Sequence, residues 1–254
     1  CAWVNGSPKI VWQKYLGKAD DIIKAVTGKQ PVPDPRKITL AAFGDVAACY
    51  AMTQKILLRQ TVDRHVPKRD QGLSVGTYME LATINRVVAP TSKKQFAPWY
   101  QATALRKLIP ADVRQLTSQR FWDHMGYLDQ AHIQAIEADI ARHVVRTFDL
   151  DLRHIIYDAT NFHTYINTLS DSDLAKRGHN KQKRNDLRQV SLAMMVTEDF
   201  HVPLFHVLYG GNIHDSVEFG TVVTDLVERH KVLAAQCERI TLVFDKGNNS
   251  EENL

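Results

Sequence analysis

His154-Ile155-Ile156-Tyr157-Asp158 and Arg239-Ile240-Thr241-Leu242-Val243-Phe244-Asp245 decide how this chain is read. Each is a short run of β-branched, aliphatic and aromatic residues closed by an aspartate, the composition of a buried strand. A polar stretch follows each acid: Ala159-Thr160-Asn161 after the first, Lys246-Gly247-Asn248-Asn249 after the second. Between them, residues 189–196 form a second strand pattern. Glu198-Asp199-Phe200-His201 turns the chain, and residues 202–209 return antiparallel. His206 alternates with Phe205 and Val207, so it faces the other side of that strand. Gly210-Gly211-Asn212 ends the strand. Asp215 then starts a helix with Glu218 three residues on, a capping-box spacing, and Val217, Val222, Val223, Leu226 and Val227 give it an apolar face. Strand, strand, strand, helix, strand predicts a mixed sheet beginning near residue 150.

Asp158 and Asp245 are the candidate chemistry. Ligand sites of α/β sheets gather at the carboxyl ends of strands, and both acids close a strand pattern. If the two strands are neighbours, the carboxylates converge. Converging hard oxygens suit Mg²⁺ or Mn²⁺, which also take water and phosphate oxygens. Two such ions roughly 3.5–4 Å apart can activate water and stabilise the leaving oxygen of a phosphodiester. Spacing alone leaves the blander reading open, that each acid caps a turn.

Upstream of the sheet the pattern is helical. Residues 1–17 read as a hairpin turned by Asn5-Gly6, and residues 28–37 carry three prolines and read as a linker. Helices are predicted over 45–58, 78–88, 118–125 and 129–148. In the last of these Ile133, Ile136, Ile140, Val144 and Phe148 recur at three- and four-residue steps. Ser92-Lys93-Lys94 reads as a helix start capped by Thr91 or Ser92. The organisation expected is therefore 1–38 hairpin and linker, 39–149 helical region, and 150–254 mixed-sheet domain.

Charge is local. The net charge is only +4, but residues 176–188 hold Lys176, Arg177, Lys181, Lys183, Arg184 and Arg188 against the single acid Asp186. Gly178 and two asparagines make this an exposed loop, suited to tracking phosphates. The plain alternative is a solvated loop. The three cysteines, Cys1, Cys49 and Cys237, are scattered and have no zinc-ligand spacing. No Walker loop occurs, so no nucleotide cofactor is expected. No signal peptide or long apolar run occurs, so no membrane partner is expected. Ser191 has no nucleophile-elbow context, and Tyr157-Asp158-Ala159 lacks the second acid of a phosphatase Asp-x-Asp pair.

Several stretches together resemble the DDE (Asp-Asp-Glu) transposases of bacterial insertion sequences, in the cut-and-paste group whose RNase H-like domain carries a β-rich insertion. They are Tyr157-Asp158-Ala159-Thr160-Asn161-Phe162, Leu174 to Lys181, Asp186 to Val190, Pro203-Leu204-Phe205-His206, Gly211-Asn212, Asp215-Ser216 and Val243 to Ser250. Asn85-Arg86, Ala89 to Lys93, Trp99-Tyr100, Val4-Asn5-Gly6 and Tyr15-Leu16-Gly17 extend the likeness over nearly the whole chain. Gly210 departs from it, since proline is commoner there in the group.

The resemblance implies an α+β fold: an N-terminal hairpin and helical region followed by a partial RNase H-like mixed sheet. It implies that Asp158 and Asp245 are the first two acids of the catalytic triad and ligands of two Mg²⁺ or Mn²⁺ ions. It implies hydrolysis at element ends followed by strand transfer into target DNA, on double-stranded DNA, by a homodimer in the bacterial cytoplasm at the nucleoid. Lys176, Arg177, Lys181, Lys183, Arg184 and Arg188 would meet the DNA backbone. The third acid, a glutamate on a later helix, has no match in this sequence. Glu251 and Glu252 stand too close to Asp245, and with Cys1 in place of an initiator methionine the expectation is a truncated chain. The alternative class is a non-catalytic remnant that binds element ends without cleaving.

Overall fold

The computed structural model describes residues 2–4, 6–9, 18–26, 40–68, 71–167, 169–178, 184, 186–213, 215–233 and 240–245. They divide into two units, Cys1–Ala41 and Ala42–Leu254. In the first unit, Ala2–Val4 (β1) pairs antiparallel with Ser7–Lys9 (β2), Val4 opposite Ser7. Gly6 takes a φ of 76°, as a tight hairpin turn requires of its glycine. Helix α1 spans Ala19–Val26 with Asp20 and Asp21 in its first turn, where acids favour the helix dipole. The linker expected at 28–37, and the hairpin residues 10–17, lie outside the described residues.

The second unit begins with helices α2 (Gly44–Lys55), α3 (Leu58–His65), α4 (Val75–Val88), α5 (Phe96–Ala102), α6 (Leu105–Leu108), α7 (Ser118–Met125) and α8 (Gln130–Phe148). The single helix expected over 45–58 is broken. Leu57 adopts a left-handed φ of 56° and redirects the chain into α3. The break is fixed from inside. The fully buried Glu80 of α4 accepts from Thr53 Oγ1 at 2.7 Å and Gln54 Nε2 at 2.5 Å on α2, with Arg59 of α3 at 3.8 Å. A buried carboxylate needs such partners. The helix start expected at Ser92 is also displaced. Thr91 Oγ1 donates to Asn85 Oδ1 at 3.1 Å, and α5 begins at Phe96, where Phe96 and Tyr100 enter the core. Thr117 and Asp129 cap α7 and α8 through the backbone N–H groups of Arg120 and His132. Tyr78, Leu81, Ile84, Tyr100, Leu105 and Phe121 are the buried centre of the helical part.

The sheet follows: β3 (His154–Thr164), β4 (Arg188–Thr197), β5 (Pro203–Gly210) and β6 (Thr241–Phe244), with α9 (Asp215–Leu233) before β6. The spatial order is β5-β4-β3-β6. Three strands form an antiparallel meander, and β6 joins β3 in parallel. This is a mixed α+β fold consistent with a partial RNase H-like domain. The side chains of Asp215 and Glu218 lie outside the described residues. At the β4–β5 turn Phe200 and His201 have left-handed φ, and buried Thr197 clamps the turn, donating to the Asp199 carbonyl at 2.6 Å and accepting from Val202 N at 3.0 Å. One sheet face packs against α8 and α9 through Ile155, Tyr157, Ala193, Met195, Phe219 and Leu226.

His206 is neither simply packed nor simply solvated. Its backbone N–H donates to Glu137 Oε1 of α8 at 3.0 Å, its Nδ1 contacts the same oxygen, and Arg229 Nη1 of α9 donates to Glu137 Oε2 at 3.0 Å. Glu137 holds His206 above the usual histidine value, outweighing the opposing effect of burial. The protonated form is the one the fold favours. Its contribution is complete below the unfolded value of about 6.5 and fades as pH rises through the higher folded value. Buried His124 and His230 are pushed the other way, by desolvation, and cost stability as pH falls below that same value. The stability difference between the native chain and His206→Gln is therefore expected to be full below about pH 6.5 and to shrink as pH rises toward alkaline values. Urea unfolding of both chains at several pH values checks this, and a difference independent of pH contradicts it.

Candidate metal and nucleic-acid site

Asp158 does not end its strand. β3 runs on to Thr164, because β4 supplies a backbone partner to every residue from Ile155 to Thr164. The β3–β6 pairing, in contrast, stops at Tyr157 opposite Phe244. Asp158 and Asp245 are the next residues on two parallel neighbours. Strands in a sheet lie about 4.8 Å apart, and residues level with one another point to one face. Each acid thus follows the last paired residue of its strand, and both residues are exposed. Asp158 Oδ1 accepts from the Ala159 N–H at 2.9 Å.

Two adjacent, exposed carboxylates are a donor set of the hard-oxygen kind that Mg²⁺ and Mn²⁺ take, one or two acids with the rest of the shell from water and phosphate. The residues present therefore fit a divalent ion as a partial ligand set. Among the described residues no group of three or more histidines, cysteines or acids could hold a metal ion. Glu251 and Glu252 lie outside those residues.

Beyond Asp158 the strand alternates, so Asp158, Thr160 and Phe162 share the face turned away from the packed core. Phe162 is 54% exposed there. The sequence reading stopped the strand at Asp158 and so missed Phe162. Residues 158–162, Asp-Ala-Thr-Asn-Phe, do not alternate between apolar and polar, so the sequence carried no local strand signal there. Asn161, on the opposite face, accepts from the buried Ser191 Oγ at 2.6 Å, which pins the middle of β3 to β4.

The basic loop is anchored at both ends of its described part. Lys176 and Gln189 exchange backbone hydrogen bonds at 3.1 and 2.8 Å, and Gly211 N donates to the Leu174 carbonyl at 3.0 Å. Lys176, Arg177 and Arg188 line one cavity of about 380 Å³ with Ser170, Asp171, Ser172 and Ala175. Arg188 Nη1 donates to the Ser170 carbonyl at 2.6 Å. Arg184 stands apart, paired with Asp186 through two contacts of 2.9 Å, and the guanidinium holds the Asp186 carboxyl down at about 2. Lys181 and Lys183 lie outside the described residues. Arg188 is level with Thr164, six residues beyond Asp158 on β3. At about 3.3 Å per residue the cationic cavity is about 20 Å from the carboxylate pair.

No protein-family model matches this sequence, and no curated protein matches it. Solved structures that share a likeness are a pre-cleavage Mos1 transpososome (8% identity, TM-score 0.27) and the Mos1 transposase paired-end complex with the left transposon end (10% identity, TM-score 0.27). A third is the Mos1 mariner paired-end complex with Mn (9% identity, TM-score 0.27). The likeness covers 73% of this chain for the first and 92% for the other two. The chain spans 57% of the first of those chains and 68% of the other two. With TM-scores of 0.27 these likenesses leave the assignment of chemistry to the residues themselves. Among the described residues no helix is long and apolar enough to cross a membrane.

Proposed function

We propose that this chain is part of a DDE transposase of the bacterial insertion-sequence kind, acting on double-stranded DNA as a homodimer in the cytoplasm. The reaction is metal-dependent phosphodiester hydrolysis at the element ends followed by strand transfer. The observation that carries the proposal is the β3–β6 register, in which Asp158 and Asp245, far apart in sequence, each follow the last paired residue of neighbouring strands. Residues 1–38, 39–149 and 150–254 would serve as N-terminal hairpin and linker, helical DNA-binding region and catalytic domain.

Asp158 and Asp245 would hold the divalent ions, which when bound supply an activated water and stabilise the leaving oxygen. The protein's own part is positional. The rigid β3–β4 ladder fixes one carboxylate, and parallel pairing with β6 fixes the other beside it. Thr160 and Phe162 lie on the same open face, between the acids and the basic cavity. Phe162 offers a ring on which an unpaired base can stack. Lys176, Arg177 and Arg188 would hold backbone phosphates, joined by Lys181, Lys183 and Arg184 of the same loop. One DNA strand advances 3.4 Å per nucleotide. The distance of about 20 Å therefore places these contacts about six nucleotides from the scissile phosphate.

Replacing Lys176 and Arg177 by glutamine removes two phosphate contacts. The slope of log affinity against log salt is expected to fall by up to about 1.8, at about 0.9 per contact. Duplex binding measured between 50 and 200 mM salt, an interval over which the electrostatic term changes strongly, tests this. A slope equal to that of the native chain removes the loop from the DNA interface.

A further inference from the structure

A second concentration of positive charge lies in the helical part. From Leu81 to Ala111 the chain carries Arg86, Lys93, Lys94, Arg106 and Lys107 and no aspartate or glutamate. All five are described, and none has an ion pair among the described residues. Arg64, Arg114, Arg142, Arg153, Arg184 and Arg229, by contrast, are each paired with an acid. The acids that flank the stretch are engaged elsewhere. Glu80 is buried against Thr53, Gln54 and Arg59, and Asp112 accepts from Arg114 Nη2 at 2.6 Å. Like charges without counter-charges repel one another and weaken a compact fold. A segment that keeps five of them is one whose counter-charge comes from a partner.

Three of the five are gathered in one place. Arg86 is exposed in the last turn of α4. The buried Asn85 beside it folds the following residues back onto that turn: its Nδ2 donates to the Ala89 carbonyl at 2.9 Å, and its Oδ1 accepts from Thr91 Oγ1 at 3.1 Å. Phe96 packs on Phe121 with ring centroids 4.7 Å apart, which brings residues 92–95 against α7. There Lys93 Nζ lies 4.1 Å from the ring centre of Trp122, a residue 57% exposed. An aromatic face attracts an ammonium through its quadrupole. A carboxylate in that position would cancel the charge; the ring fixes the lysine and leaves the charge outward. Asp123, next to Trp122, is the acid beside this group, and its Oδ1 accepts from Gln119 Nε2 at 2.7 Å. Against it the three cations keep a surplus of two. Arg106 and Lys107 are not counted with them, because α6 packs on α2, whose first turn carries Asp45.

We infer that Arg86, Lys93 and Lys94 grip the phosphate backbone of duplex DNA, with Trp122 as the positioning ring that presents Lys93. The inference rests on the DNA-binding reading of the helical part and places the backbone where the end of α4 meets α7. Duplex DNA carries one negative charge per about 1.7 Å of its axis, so it supplies counter-charge to cations spread over neighbouring turns. Contacts of this kind fix where a protein sits on a duplex and carry no sequence information themselves. This grip is separate from the basic loop of the sheet, and the two meet different phosphates.

The test uses the whole chain and measures duplex affinity at several salt concentrations between 50 and 200 mM. Arg86→Gln, Lys93→Gln and Lys94→Gln are combined in one variant, and circular dichroism confirms that it folds. The slope of log affinity against log salt is expected to fall by up to about 2.7, at about 0.9 per phosphate contact. Added to Lys176→Gln and Arg177→Gln, the reductions should sum. Trp122→Leu keeps the charge of Lys93 and removes the ring's hold on it. It should weaken duplex binding about two- to fivefold, the worth of an exposed cation–π contact, with the slope near that of the native chain. Arg153→Gln removes a cation that Asp151 already neutralises, and should leave the slope unchanged. A native slope in the triple variant overturns the inference, as does an equal loss of slope in Arg153→Gln. Poly-glutamate binding as tightly as duplex, with the same dependence on the three residues, overturns the choice of DNA. Native affinity in Trp122→Leu overturns the part given to the ring. If the Lys176 and Arg177 substitutions lower the slope and the triple variant does not, the inference falls while the DNA-binding reading of the chain stands. A native chain that binds no duplex brings down both.

Discussion

Asp158→Asn and Asp245→Asn are each expected to reduce Mn²⁺ affinity by more than the ten- to hundredfold that losing an outer-shell partner of a metal costs. Both side chains are exposed, and asparagine keeps their size, so neither change should disturb the fold. The Asp158 amide can still accept from the Ala159 N–H through its oxygen. What disappears is the negative charge, and a hard divalent ion is held by charge. Paramagnetic broadening of resonances from β3 and β6 by Mn²⁺ reads the affinity directly. In the protein carrying all three acids that the resemblance implies, cleavage of element ends should vanish in both variants while duplex binding persists. Either variant retaining native Mn²⁺ affinity would sink the assignment of both acids. Under the proposed function they form one site, and one acid cannot serve if its neighbour is irrelevant.

How far the sequence led can be seen at the sheet. Strands β4 and β5, their turn and the start of α9 were legible, because β-branched runs bounded by turn residues are local signals. Residues 129–148 were legible through their apolar period, and 118–125 was expected as a helix beside them. The failures arise where distant partners decide. β3 was ended at Asp158 because an acid followed by Ala-Thr-Asn reads as a loop, yet β4 pairs with those residues and carries the strand to Thr164. The break at Leu57 answers to Glu80, which stands well along the chain on another helix. The pairing of His206 with Glu137 joins a strand to a helix and has no local signature. The candidate acids themselves were visible. The sequence left open whether their strands are neighbours, and the parallel pairing of β3 with β6 shows that they are. Phe162 was invisible because the strand was cut short at Asp158.

Gly211→Ala is expected to cost about 3 kcal/mol, at the upper end for an inserted methyl group, because the surroundings have nowhere to go. A Cβ at Gly211 would stand 2.0 Å from the Gln189 carbonyl oxygen and 2.5 Å from its carbon, both backbone atoms of a paired strand. Gly178 is packed as tightly in turn, its Cβ position 2.0 Å from the Gly211 oxygen. Three backbone segments thus meet at one point: the start of β4, the residues after β5, and the start of the basic loop. Gln189 Nε2 adds a bond of 2.7 Å to the Gly211 carbonyl. The methyl group must part them. The reciprocal backbone bonds between Lys176 and Gln189 lie beside the point of contact, so the loop should shift as stability falls. A drop in melting temperature of about 10 °C is expected for a chain of this size, together with a shallower salt dependence of duplex binding. Gly44→Ala is the control. It opens helix α2 with nothing within 4 Å of its Cβ position, and alanine there should be neutral or slightly stabilising. Equal melting temperatures for the Gly211 and Gly44 variants would show that the glycine junction does not hold the loop to the sheet. A loss of stability without any change in salt dependence would show that the loop's grip on phosphate does not depend on that junction.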